Sequence, residues 1–199
     1  GGKAVEINTR GVEIALEAAR EFSTPEWPRF VAGAMGPTTK TLSVTGGITF
    51  EELEENFYQQ AYSLVKAGSD LILLETSQDM LNVKAATIGI NRAFEELNTV
   101  LPVMISGTIE PMGTTLAGQS IEAFYISIEH IKPLSVGLNC ATGPEFMTDH
   151  IRSLSELSDG YVSCYPNAGL PDEEGHYNES PESLSKKLKE YAEKGWLNV

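Results

Sequence analysis

Residues 71–76 read Leu71-Ile72-Leu73-Leu74-Glu75-Thr76: four large aliphatic residues in a row, then a carboxylate and a hydroxyl. A continuous aliphatic run closed by polar residues is the pattern of a strand buried on both faces, and such strands belong to parallel sheets covered by helices. Helical periodicity flanks the run on both sides. Upstream, Thr49 and Glu52 have the spacing of a capping box, Leu53, Phe57, Ala61, Leu64 and Val65 supply a buried face, and Gly68 ends the helix. Downstream, Asp79 is placed as an N-cap, and Met80, Val83, Thr87, Ile90, Phe94 and Leu97 step by three and four.

The same alternation extends to both ends of the chain. Val12, Ala15, Leu16 and Ala19 mark a helix over residues 9–22, and helices are expected near 120–130, 145–157 and 180–194, the last opened by Ser180-Pro181. Strands are expected over 30–35, 102–109, 135–140 and 160–166. Repeated βα units of this length give an α/β fold with right-handed crossovers. Neither G-x-G-x-x-G nor a P-loop follows a strand, which counts against an open dinucleotide-binding sheet. Polar groups instead stand where strands run out: Thr38, Glu75 with Thr76, Ser106 with Thr108, Asn139 with Cys140, and Asn167. In a (β/α)8 TIM barrel such ends converge on one active-site mouth, so the barrel is the expected architecture. About five full strands are visible, a sixth begins at Leu197-Asn198-Val199, and closure takes eight. The barrel is therefore expected to be incomplete.

The composition limits the partners. Among 199 residues, 14 Lys and Arg face 28 Asp and Glu, a net charge of −14 with pI near 4.6. That field repels phosphate backbones and anionic lipid surfaces, so neither nucleic acid nor membrane is expected. No apolar stretch approaches a membrane span or a signal peptide, which points to the cytoplasm. Cys140 and Cys164 do not suggest a disulfide framework in a domain of this size.

Cys140 closes a strand and precedes a turn, Ala141-Thr142-Gly143-Pro144, that opens a helix, a position from which a thiol can attack an electrophile or ligate zinc; a small buried hydrophobe is the competing reading. Cys164, in mid-strand, reads as packing. Glu75 is suited to binding an ammonium group or acting as a base, and equally to a structural partnership. His130, His150 and His176 show no metal-ligand spacing and are expected to be solvated. The acidic run Glu51-Glu52 with Glu54-Glu55 fits an outer helix face. Tyr165-Pro166-Asn167-Ala168-Gly169-Leu170-Pro171 is the most rigid loop, at the end of the sheet where barrels keep function.

Gly137-Leu138-Asn139-Cys140-Ala141-Thr142-Gly143-Pro144 and the Tyr165–Pro171 loop resemble the homocysteine-binding domain of cobalamin-dependent methionine synthases. Gly33-Ala34-Met35-Gly36-Pro37-Thr38, Leu73-Leu74-Glu75-Thr76, Met104-Ile105-Ser106-Gly107-Thr108-Ile109 and Thr115-Leu116-Ala117-Gly118-Gln119 match in the same order. The resemblance covers nearly all of residues 1–199 and implies one homocysteine-binding barrel domain, present in part, with its first two strands and its last expected outside this chain. It implies zinc held by three cysteine thiolates, with homocysteine sulfur in the fourth position. Cys140 matches the first thiolate, and an adjacent Cys-Cys pair is expected beyond Val199. Asn167 matches the residue that occupies the open zinc position before substrate arrives. Glu75 matches the carboxylate that binds the homocysteine ammonium, and Ser106 and Asn139 are expected to line the pocket.

The implied activity is the homocysteine half-reaction of methionine synthase. A zinc-activated thiolate attacks the methyl group of methylcobalamin, which is carried on a separate domain and regenerated from a methyltetrahydrofolate-binding domain of the same or a partner chain. With one thiolate of three, the segment alone is expected neither to hold zinc tightly nor to turn over. Betaine or S-methylmethionine as donor, or a barrel module without metal, are the alternatives.

Overall fold

The computed structural model describes residues 2–199. Five strands, β1 (Ala32–Met35), β2 (Leu71–Ser77), β3 (Val103–Gly107), β4 (Ser135–Cys140) and β5 (Tyr161–Pro166), form a parallel sheet in chain order. Six helices alternate with them: α1 (Ala4–Phe22), α2 (Phe50–Lys66), α3 (Met80–Glu96), α4 (Ile121–Ile128), α5 (Thr148–Leu157) and α6 (Pro181–Glu193). This is the expected α/β alternation, consistent with a partial TIM-barrel-like fold. Among the described residues no helix is long and apolar enough to cross a membrane.

The chain divides into two compact units, Gly1–Leu74 with Leu81–Met104, and Glu75–Met80 with Ile105–Val199. In the first, α2 starts on the expected capping box: the Thr49 hydroxyl accepts from the Glu52 N–H while the Glu52 carboxylate accepts from the Thr49 N–H. Leu53, Phe57, Ala61 and Leu64 are buried as the periodicity requires, but Ser63 replaces Val65 on that face and hydrogen-bonds the Gln59 carbonyl at 2.7 Å. Gly89 lets α3 lie against α2, since a Cβ there would come within 2.7 Å of the Tyr58 nitrogen and 2.8 Å of the Glu54 oxygen. Helix α1 begins at Ala4, five residues before the expected start at residue 9, with no side-chain cap at Lys3.

In the second unit, Phe124 and Ile128 from α4, Val136 and Leu138 from β4, Ile151 and Leu154 from α5, and Val162 from β5 make the core. Alternate residues of β4 face it, so Ser135, Gly137 and Asn139 face the other way. Two expected helices are broken. The α4 helix tightens into a 3-10 turn at Glu129–Ile131, ended by left-handed Lys132, and a 3-10 turn at Pro144–Met147 precedes α5. The expected sixth strand is not delimited, yet its residues pair with β5: the Asn198 N–H donates to the Val162 carbonyl at 2.9 Å, and the Cys164 N–H to the Val199 carbonyl at 3.1 Å.

His130 and His176 are exposed as expected, whereas His150 is half-buried. Burial pulls the His150 imidazole below its ordinary range, opposed by Asp149 and Glu122. A histidine whose folded value is depressed favours the folded state above the unfolded value of ~6.5 and loses that contribution as pH falls below it. Urea midpoints at pH 7.5 and 5.5 should therefore drop on acidification, and His150→Gln should reduce the drop; an equal drop in both proteins would show that His150 has no part in it.

Candidate functional site

The candidate residues of the second unit stand at the C-terminal ends of its strand segments. Glu75 and Thr76 lie in β2 just before its last residue, Ser77, Ser106 lies one residue from the end of β3, Asn139 and Cys140 close β4, and Asn167 follows β5 directly. Register pairs Asn139 with Tyr165 and Cys140 with Pro166, so Cys140 and Asn167 occupy neighbouring positions at one sheet end. Three non-glycine residues here are left-handed: Thr76 (φ 58°), Cys140 (φ 59°) and Ala141 (φ 53°). Each such residue costs about 1–2 kcal/mol in an L-polypeptide, so the surroundings must hold it.

Asn139 does so for Thr76. The Thr76 N–H donates to Asn139 Oδ1 at 3.0 Å and Asn139 Nδ2 donates to Thr76 Oγ1 at 2.8 Å, so one side-chain amide satisfies both polar groups. The Ser106 hydroxyl donates to the same Oδ1 at 2.5 Å and meets the Tyr165 hydroxyl at 2.6 Å. Ser106 is 0% exposed and Asn139 5%, while Tyr165 and Glu75 are half-buried. Burial first, and the neighbouring Glu75 carboxylate after it, push the Tyr165 phenol up to about 12, against the Ser106 hydrogen bond.

The structure thus joins Ser106 directly to Asn139 and brings in two residues to which the sequence reading assigned no role, Thr76 beside Glu75 and Tyr165. Thr76 was visible as a polar strand end. Tyr165 had one signal, its period-two relation to Asn167, but nothing in the sequence pairs it with Ser106, 59 positions away. Ser106, expected to line a pocket, is wholly enclosed in this network.

The loops beyond β4 and β5 touch: a Cβ on Gly143 would lie 3.0 Å from the Gly169 Cα. Fully buried Tyr191 of α6 donates to the Pro144 carbonyl at 2.5 Å and so anchors the turn that follows Cys140. Cys164 sits in the core with its thiol directed at the Met147 sulfur, 3.8 Å away, and burial pushes that thiol up to about 12. Cys140 is half-exposed. Among the described residues no three His, Cys, Asp or Glu side chains are arranged to hold a metal ion. One thiol and one amide do not make a zinc centre, which needs four donors.

A parallel α/β sheet thus carries a carboxylate, a thiol and a buried amide network at its strand ends. The chain belongs to the homocysteine S-methyltransferase family, whose model matches residues 2–199. It is similar in fold to crystal structures of the homocysteine methyltransferase MmuM from Escherichia coli. The apo form shares 19% identity over 84% of this chain and 62% of that one, with a TM-score of 0.69. The metallated form shares 19% over 83% and 59%, with a TM-score of 0.70. The chain spans about three fifths of the length of these solved structures.

Proposed function

We propose that residues 1–199 form part of the homocysteine-binding barrel domain of a methyltransferase, and that Glu75 receives the ammonium group of the amino acid. The observation that carries this reading is the Asn139 clamp: its side chain holds Thr76, the neighbour of Glu75, while its main chain continues into Cys140. One rigid unit thereby positions a carboxylate for the charged end of an amino acid and a sulfur donor for its thiol end.

In the reaction a bond forms between homocysteine sulfur and the methyl carbon, the bond from that carbon to its donor breaks, and the thiol proton leaves. A free thiol is mostly protonated at neutral pH, given a reference value of ~8.5, so it must be activated. Zinc supplies such activation when bound, and Cys140 and Asn167 are the ligands this chain would bring. They do not suffice, so the role derived for the chain is to bind and orient homocysteine. The motifs at residues 104–109 and 115–119 favour the methionine synthase type, with methylcobalamin presented by another domain, over betaine or S-methylmethionine as donor.

Binding is followed by NMR titration of the chain with L-homocysteine and with 4-mercaptobutyrate, the same thiol acid without its ammonium group. Glu75→Gln should weaken homocysteine by about tenfold, the range of a charge-assisted hydrogen bond, and leave 4-mercaptobutyrate unaltered. Undiminished homocysteine affinity in this variant would remove Glu75 from the site.

A further inference from the structure

A strand turns successive side chains to opposite faces, and β2 keeps this rule only as far as Glu75. Ile72 and Leu74 are buried, and a Cβ on Gly33 would meet both Ile72 and Leu64 of α2, so these two lie on the face that α2 covers. Leu71, Leu73 and Glu75 take the other face and are half-buried. Thr76 is due on the α2 side, yet it too is half-buried, and the next buried residue is Ser77, so the alternation resumes one residue late. The cause is the left-handed φ of 58° at Thr76, an outlier for a β-branched residue. It brings the Thr76 hydroxyl to Asn139, which stands on the face of β4 turned away from the core. Glu75 and Thr76 therefore present consecutive side chains to one face.

The clamp also sets what the hydroxyl can do. The Thr76 N–H can only donate, so it fixes the Asn139 atom it meets as the amide oxygen, and Asn139 Nδ2 must donate to Thr76 Oγ1. Asn139 thus takes a lone pair of the hydroxyl and leaves its proton for another acceptor. No lysine or arginine occurs in residues 75–80, 105–120, 139–147 or 166–180, which end and follow these strands. A carboxylate arriving here must be met by neutral donors.

Resting on the homocysteine reading of the site, we propose that Thr76 is a second recognition residue, its hydroxyl donating to the α-carboxylate of the amino acid whose ammonium Glu75 receives. An amino acid carries these two groups on one carbon, and the slipped alternation of β2 places an acceptor and a donor for them on adjacent residues of one face. Asn139 is the positioning residue that holds the hydroxyl as a donor.

The test adds a third ligand to the titration, 3-mercaptopropylamine, which keeps the thiol and ammonium of homocysteine and lacks the carboxylate. Thr76→Val keeps the branched shape and removes the hydroxyl; it should weaken homocysteine and 4-mercaptobutyrate by about tenfold each and leave 3-mercaptopropylamine unaltered. Thr76→Ser, which keeps the hydroxyl, should bind all three as the parent does. Glu75→Gln should give the complementary pattern, weakening homocysteine and 3-mercaptopropylamine alone. In the unmutated chain, 4-mercaptobutyrate should shift the Asn139 side-chain amide resonances through the Thr76 oxygen while 3-mercaptopropylamine leaves them in place, a readout that does not depend on the fold of Thr76→Val. If Glu75→Gln behaves as expected while Thr76→Val binds the carboxylates normally, or the Asn139 resonances respond alike to both ligands, the inference falls and the reading of Glu75 stands. Equal losses for all three ligands in Thr76→Val would make the hydroxyl merely structural and overturn the inference. Failure of Glu75→Gln to separate 3-mercaptopropylamine from 4-mercaptobutyrate would overturn both.

Discussion

Gly137→Ala should destabilise the chain by about 3 kcal/mol or more, the largest stability effect expected for adding a single methyl group. Gly137 pairs with Ser163 of β5, and a Cβ built at position 137 overlaps the Ser163 hydroxyl and its main-chain carbonyl. A side-chain tip can rotate away, but the carbonyl belongs to the strand and can retreat only by breaking the β4–β5 ladder. The φ angle at Gly137 is not in the left-handed region, so the demand is for space and not for a special backbone conformation. Thermal unfolding should show Tm lowered by about 6–12 °C for a domain of this size. Gly11→Ala provides the control: an added Cβ there meets nothing within 4 Å, and the position lies inside α1, so it should stabilise by up to about 1 kcal/mol. Near-equal Tm values for Gly137→Ala and the parent would refute the close β4–β5 approach.

Asn139→Ala is the second large effect. The substitution leaves the Thr76 N–H and the buried Ser106 hydroxyl without their acceptor and half-buried Thr76 Oγ1 without its donor. Unsatisfied buried groups cost about 1–3 kcal/mol each, so a loss of about 3 kcal/mol is expected, with Asn139→Asp milder because it keeps the acceptor. The change should also be felt at Cys140, whose left-handed backbone directly follows the clamp. Iodoacetamide at fixed pH reports on it selectively, since Cys164 is buried and its thiol is pushed up to about 12. Alkylation of Cys140 should change several-fold in Asn139→Ala. Wild-type stability together with a wild-type alkylation rate would show that Asn139 clamps nothing.

Much of this architecture was readable from local pattern. The capping box at Thr49 and Glu52, the strand at residues 71–74 and the helix after Ser180-Pro181 depend on contacts within a few residues, and local chemistry sets them whatever the rest of the chain does. Boundaries were less legible. The break at Glu129–Ile131 stands where α4 leads into β4 and that at Pro144–Met147 where β4 leads into α5, and the half-burial of His150 comes from the packing of α5.

The amino-acid order alone established an α/β chain with Glu75, Asn139 and Cys140 at the ends of buried strands, because continuous apolar runs and period-3.6 stripes record which segments face a core. It could not say that Ser106 is sealed inside a network, nor that Tyr165 joins it. Those partnerships link positions 33, 59 and 63 residues apart, and only strand register brings their hydrogen-bonding atoms within 3 Å. Tertiary structure therefore decided which polar groups meet in the site, since a hydroxyl's partners depend on what the fold brings within its reach.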